Sequence, residues 1–212
     1  MYELDMTADE VVAALLTLSR SEPVCILDSC GVGELGQRRF VAGIEPCEIQ
    51  EKTSSDPSEI LAFLDEALGG DTATIFTISY DFGLKLLGII PKGRPADTRF
   101  EPDLFLARFD TLIIHDYDSE KTYLAGNPAR FEGVRRKLAS GISDLSAEVS
   151  HSGPMIASNF SKPAYLEAVE HIKELIRSGD TYQTNLTQRL SAAMPHGLSA
   201  EVIFDRIRRD HP

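Results

Sequence analysis

No apolar run in the 212-residue sequence approaches the ~20 residues that cross a membrane, and its start, "MYELDMTADE", is acidic where a signal peptide is basic and then apolar. A soluble, cytoplasmic protein is expected. Cations are scarce: 21 Lys and Arg stand against 33 Asp and Glu, a net charge of −12. That balance argues against nucleic acid, whose phosphates need Lys and Arg to neutralise them. It argues equally against anionic membrane surfaces. The three cysteines, Cys25, Cys30 and Cys47, form no C-x-x-C pair and have no paired-histidine spacing, so zinc is not expected and free buried thiols are. P-loop, dinucleotide fingerprint and nucleophile elbow are missing. "GVGELG" (Gly31 to Gly36) has a G-x-G-x-x-G spacing, but "QRRFVAGIE" after it reads as a strand. It offers no helix N-terminus for a pyrophosphate.

What is present suffices for a folded protein, since 42% of the residues are hydrophobic and 25% charged. "TADEVVAALLTLSR" opens with Thr7 and Glu10 spaced as a capping box, predicting a helix from about Ala8 to Ser19. "PVCILDS" and "RFVAGIEPCEIQ" read as strands around the loop "CGVGELGQ". "DPSEILAFLDEALGG" has a cap, helical periodicity and a Gly stop, and "TATIFTISYDFGLKLLGIIP" passes from a strand into a short helix or turn. Leu104 to Ala125 reads as a long strand, an Asp/Ser turn and a return strand. Adjoining antiparallel strands point to an α+β fold. "NPARFEGVRRKLAS" is an amphipathic helix, and the polar stretch after it predicts a linker over 141–160 between a region 1–140 and a second region 161–212.

That second region opens with the clearest helix. In "SKPAYLEAVEHIKELIRSGD", Tyr165, Leu166, Val169, Ile172 and Ile176 recur at three and four residues, and Gly179 stops the run. "GDTYQTNLTQRL" then reads as a strand, so Gln183, Asn185, Thr187 and Arg189 share one face with no apolar member. Amides, hydroxyl and guanidinium suit either a solvated sheet face or an enclosed hydrogen-bonding site. "AEVIFDRIRRDHP" is a last helix. Its Arg206, Arg208 and Arg209 are expected to complement the helix dipole, His115 and Asp116 to belong to a turn, and Asp65, Glu66 and Asp71 to a solvated helix end.

The run from Tyr165 to Leu190 resembles component I of the aminodeoxychorismate (para-aminobenzoate) synthase family and, more distantly, anthranilate synthase component I. Their pattern, I-x-x-G-D-x-Y-Q-V-N-L-x-Q-R, is met at Ile176, Gly179, Asp180, Tyr182, Gln183, Asn185, Leu186, Gln188 and Arg189, with Thr184 where Val is usual. The "NL-x-QR" ending favours the aminodeoxychorismate branch. "ILDSCGVGELGQRRF" is similar to the family's L-x-S strand, loop and R-[YF] strand. "ISYDFGLKLLG" is a drifted G-Y-D-L-G-R, with Ser79 in place of Gly and Lys85 near the Arg.

The resemblance implies the N-terminal half of the chorismate-utilising synthase fold: antiparallel sheets with helices packed outside. It also implies chorismate amination toward folate, using Mg2+ and ammonia from a glutamine amidotransferase subunit. The family's magnesium-binding glutamates and catalytic lysine follow a proline matched by Pro212. No cofactor is therefore expected on this chain, which would need a C-terminal chorismate-binding half in cis or trans to be active. By the same resemblance Gln183, Asn185, Thr187 and Arg189 line the substrate cleft, and Leu27, Asp28, Ser29, Arg39 and Phe40 belong to a tryptophan-type pocket. A non-catalytic module that binds an aromatic amino acid or docks a subunit, and an anthranilate synthase component I fragment, are the alternatives.

Overall fold

A computed structural model describes residues 1–33, 36–89, 101–141, 155–194 and 198–210. In chain order its elements are β1 (Tyr2–Leu4), α1 (Ala8–Leu18), β2 (Val24–Asp28), β3 (Arg39–Ile44), β4 (Glu48–Lys52), α2 (Pro57–Leu68), β5 (Ala73–Ile78), α3 (Tyr80–Leu86), β6 (Leu104–Phe109), β7 (Thr111–Asp116), β8 (Lys121–Gly126), α4 (Pro128–Ser140), β9 (Ile156–Ser158), α5 (Lys162–Ser178), β10 (Leu190–Ala192) and α6 (Ala200–Asp210). Among the described residues every strand pairing is antiparallel, and the class is α+β. The chain divides into two units, Met1–Leu145 with Phe204–Pro212, and Ser146–Ile203.

The first unit is organised by a five-stranded sheet of order β1-β8-β7-β3-β2. Thr7 and Glu10 cap α1 reciprocally: the Glu10 N–H donates to Thr7 Oγ1 at 3.2 Å and the Thr7 N–H to Glu10 Oε2 at 2.8 Å. The buried stripe of α1 (Val11, Val12, Leu15, Leu16) and that of α4 (Phe131, Val134, Leu138) pack on one face of this sheet. There they meet Phe40, Ala42, Ile113 and Leu124, with Phe204 of α6 at the margin. A second sheet, β4-β6-β5, is covered by α2 and α3 through Ile60, Phe82 and Leu104. The buried Asp103 carboxylate accepts from Lys85 Nζ at 2.7 Å and from the Ser54 N–H at 3.0 Å, tying α3 to the start of β6.

The predicted long strand from Leu104 breaks at Asp110, because its two halves serve different sheets: β6 pairs with β4 and β5, whereas β7 pairs with β3 and β8. Gly126 (φ +117°) closes over this crease, where any Cβ would stand 2.1 Å from the Asp110 carbonyl oxygen. "RFVAGIEPCEIQ" likewise divides, at Glu45 (φ +50°), into β3 of one sheet and β4 of the other. The thiols are free as expected, but Cys47 is exposed and Cys25 and Cys30 are only half-buried.

In the second unit α5 ends in a Schellman motif at Gly179 (φ +82°): the Asp180 N–H reaches the Leu175 carbonyl and the Gly179 N–H that of Ile176. One expectation is corrected here. The run 181–189 is not a strand; pairing begins only at Leu190, where β10 meets β9 in a two-stranded ribbon. Among the described residues the one backbone bond from β9's side that reaches this run is the Asn159 N–H to the Arg189 carbonyl at 3.1 Å, next to the ribbon. Within the expected linker, Ile156–Ser158 is that ribbon's other strand; 142–154 lie outside the described residues, as do 34–35 of the glycine loop, 90–100 and Pro212.

Candidate functional site

Register on the five-stranded sheet determines which polar groups meet. Asp28 pairs with Phe40, Phe40 with His115, and His115 with Thr122, so the four form one row across the sheet. Phe40 and the next row, Ile26, Ala42, Ile113 and Leu124, belong to the core under α1 and α4, so the Asp28 carboxylate faces the helix layer. Its side chain is only 2% exposed. A carboxylate buried there needs donors for its oxygens.

It has them. Asp28 Oδ1 accepts from the Cys30 N–H at 2.8 Å and from the Tyr117 hydroxyl at 2.7 Å; Oδ2 accepts from Arg208 Nε at 2.7 Å. Arg208, with its side chain 11% exposed, also donates to Asp9 Oδ1 at 2.7 Å and to the Tyr117 oxygen at 3.3 Å. Burial, followed by the Asp28 hydrogen bond, pushes the Tyr117 phenol up to about 12. Burial would lower the pKa of Arg208, but its hydrogen bonds to Asp28, Asp9 and Tyr117 raise it above its ordinary value. Tyr117 is held edge-on against His115, ring centres 4.8 Å apart. The Thr122 hydroxyl spends its one proton on the Met6 carbonyl at 2.6 Å, so at 2.9 Å from His115 Nδ1 it must accept. His115 is therefore the Nδ1–H tautomer, and burial lowers its pKa.

The residues expected to form a tryptophan-type pocket are separated by strand alternation. Asp28 and Phe40 face the helices, whereas Leu27 and Arg39, one position along on their strands, lie on the opposite side and are exposed. Ser29 stands just past the strand, its Oγ buried and without a hydrogen-bond partner among the described residues. Asp116 fits the expected turn, accepting from the Asp118 and Ser119 N–H groups. His115 does not; it sits buried inside the sheet row. Arg206 and Arg209 are exposed as a dipole-complementing cluster would be, but Arg208 is a buried ion-pair partner. The signal for it lies in β2: Val24, Ile26 and Asp28 share one face, and the third is a charge.

Gln183, Asn185, Thr187 and Arg189 are all exposed. The Gln188 amide donates to Ser158 Oγ at 2.8 Å, and the Arg189 N–H donates to Asn159 Oδ1 at 2.7 Å, bracing the segment against β9. Among the described residues no group of three or more His, Cys, Asp or Glu could hold a metal ion. None of their helices is long and apolar enough to cross a membrane.

A protein-family model described as chorismate binding enzyme matches residues 23–212. The chain is 29% identical over 128 residues to aminodeoxychorismate synthase component 1 of Bacillus subtilis (strain 168), covering 55% of this chain and 27% of that protein. It is 26% identical over 172 residues to anthranilate synthase component 1 of Lactococcus lactis subsp. lactis (strain IL1403), covering 72% of this chain and 35% of that one. The matches thus span about a third or less of each relative's length. With a family model running through both units, the chain belongs to the chorismate-binding enzyme family.

Proposed function

We propose that this chain supplies the amino-terminal part of a chorismate-aminating synthase of the aminodeoxychorismate type, and that it works only when a chorismate-binding core completes it. One observation carries the need for completion: among residues 155–194 not one described residue is buried. An amphipathic helix of 17 residues and a two-stranded ribbon cannot build a core alone. Leu166, Ile176, Ile156 and Leu190 are exposed along them, an apolar surface suited to another layer of the same fold. In this reading Gln183, Asn185, Thr187 and Arg189 border the cleft that the added layer closes, and they hydrogen-bond to substrate without moving protons. Magnesium and an amidotransferase partner belong to the completed enzyme.

The choice of amination at the 4-position over anthranilate formation rests on Tyr182 and the Asn185-Leu186-Thr187-Gln188-Arg189 ending. The test combines the purified chain with the carboxy-terminal remainder of the Bacillus subtilis relative, chorismate, MgCl2 and ammonium. Expected are no product from the chain alone and aminodeoxychorismate from the mixture. Anthranilate from the mixture would overturn the branch assignment, and turnover by the chain alone would overturn the need for completion.

A further inference from the structure

We propose that Arg208 is a latch: its guanidinium fills a preformed cation seat made by Asp28, Tyr117 and Asp9, and occupancy of that seat decides whether the end of α6 is docked on the first unit or released. The seat is built without α6. Asp28 keeps the Cys30 N–H and the Tyr117 hydroxyl as donors when Arg208 leaves, and Tyr117 is braced by His115, which is oriented through Thr122 to the Met6 carbonyl. Asp9 lies in the first turn of α1, whose capping box fixes that turn.

Among the described residues little else holds this end of the helix. No residue of α6 is fully buried, only Phe204 packs against the main core, and Ile207 is 54% exposed. Burying an Arg–Asp pair sacrifices hydration of both charges, so water that enters the vacated seat offsets part of the pairing lost on release. A fork of three hydrogen bonds is specific to a planar guanidinium, which lysine does not reproduce. The site therefore has two discrete states, seated and vacant.

The test is amide hydrogen exchange over residues 204–210 in the chain and in Arg208→Ala, with and without millimolar methylguanidinium. Seating predicts exchange faster by roughly tenfold or more in the variant. Methylguanidinium should restore protection to the variant and leave the unmodified chain unchanged, and tetramethylammonium, which has no N–H donors, should do neither. Unchanged exchange in Arg208→Ala would overturn the latch, and equal action of the two ions would overturn the seat. Should Arg208→Ala fail to fold, Arg208→Lys gives the same reading: faster exchange supports the fork, and exchange like that of the unmodified chain overturns it.

Discussion

Replacing Gly126 by Ala tests the crease on which the first unit turns. A Cβ at this position would lie 2.1 Å from the Asp110 carbonyl oxygen, 3.0 Å from its carbon and 3.0 Å from Thr111 Cα. All three are backbone atoms, so no side chain can rotate away. The Asp110 carbonyl also accepts the Asn127 N–H at 2.9 Å, and Gly126 is the register partner of Thr111. Relief requires either pulling β8 from β7 or straightening the break between β6 and β7. Holding a non-glycine residue at φ +117° costs about 1–3 kcal/mol, and displacing packed backbone costs a similar amount, giving a loss of about 2–6 kcal/mol. Gly133 is the control. It lies within α4, and a methyl group added there would meet nothing within 4 Å, so Ala should stabilise by about 0.5–1 kcal/mol through helix propensity. Urea denaturation followed by circular dichroism should move the two midpoints in opposite directions. A Gly126→Ala midpoint within error of the parent would refute the crease.

Stability should also fall on mild acidification. The folded pKa of His115 is depressed below its ordinary 6.5, so the unfolded chain binds that proton more readily. The contribution is fully present above 6.5 and is lost at up to about 1.4 kcal/mol per pH unit as pH falls toward the folded value. His115→Gln should flatten the stability curve between neutral pH and pH ~5, and an unchanged slope would count against the assignment. Lys85→Met, which leaves the buried Asp103 with the Ser54 N–H as its donor among the described residues, should cost about 2–3 kcal/mol by thermal melting. Leu15→Ala in the main core should cost about 3 kcal/mol, whereas Ile176→Ala on the uncovered face of α5 should stay within about 0.5 kcal/mol until a completing core is added.

The helices were legible because each carries its own start and stop. Thr7 with Glu10 and Asp56 before Pro57 act over three or four residues and cap as the sequence implies, and Asn127 before Pro128 and Ser161 before Pro163 cap their helices in the same way. The β7–β8 hairpin was legible for the same reason, since Asp116 closes its own turn. The family run from Ile176 to Arg189 could be recognised without any coordinates. Its reading as a strand failed because alternation shows how side chains would be arranged in a sheet, not whether a neighbouring strand is present.

Long-range pairing decided the rest. Nothing local to "FLARFDTLII" shows that Asp110 is where the chain changes sheets; that depends on β4 and β5 claiming one half while β3 and β8 claim the other. Nor could spacing bring Arg208 to Asp28, 180 residues away, or set Tyr117 edge-on against His115 beside them. The sequence by itself determined the helices, the α+β class and the family, because those signals are carried by contiguous residues. Only the tertiary structure separated Leu27 and Arg39 from Asp28 and Phe40 and assembled the seat for Arg208, because burial and charge pairing exist only once distant strands lie in register.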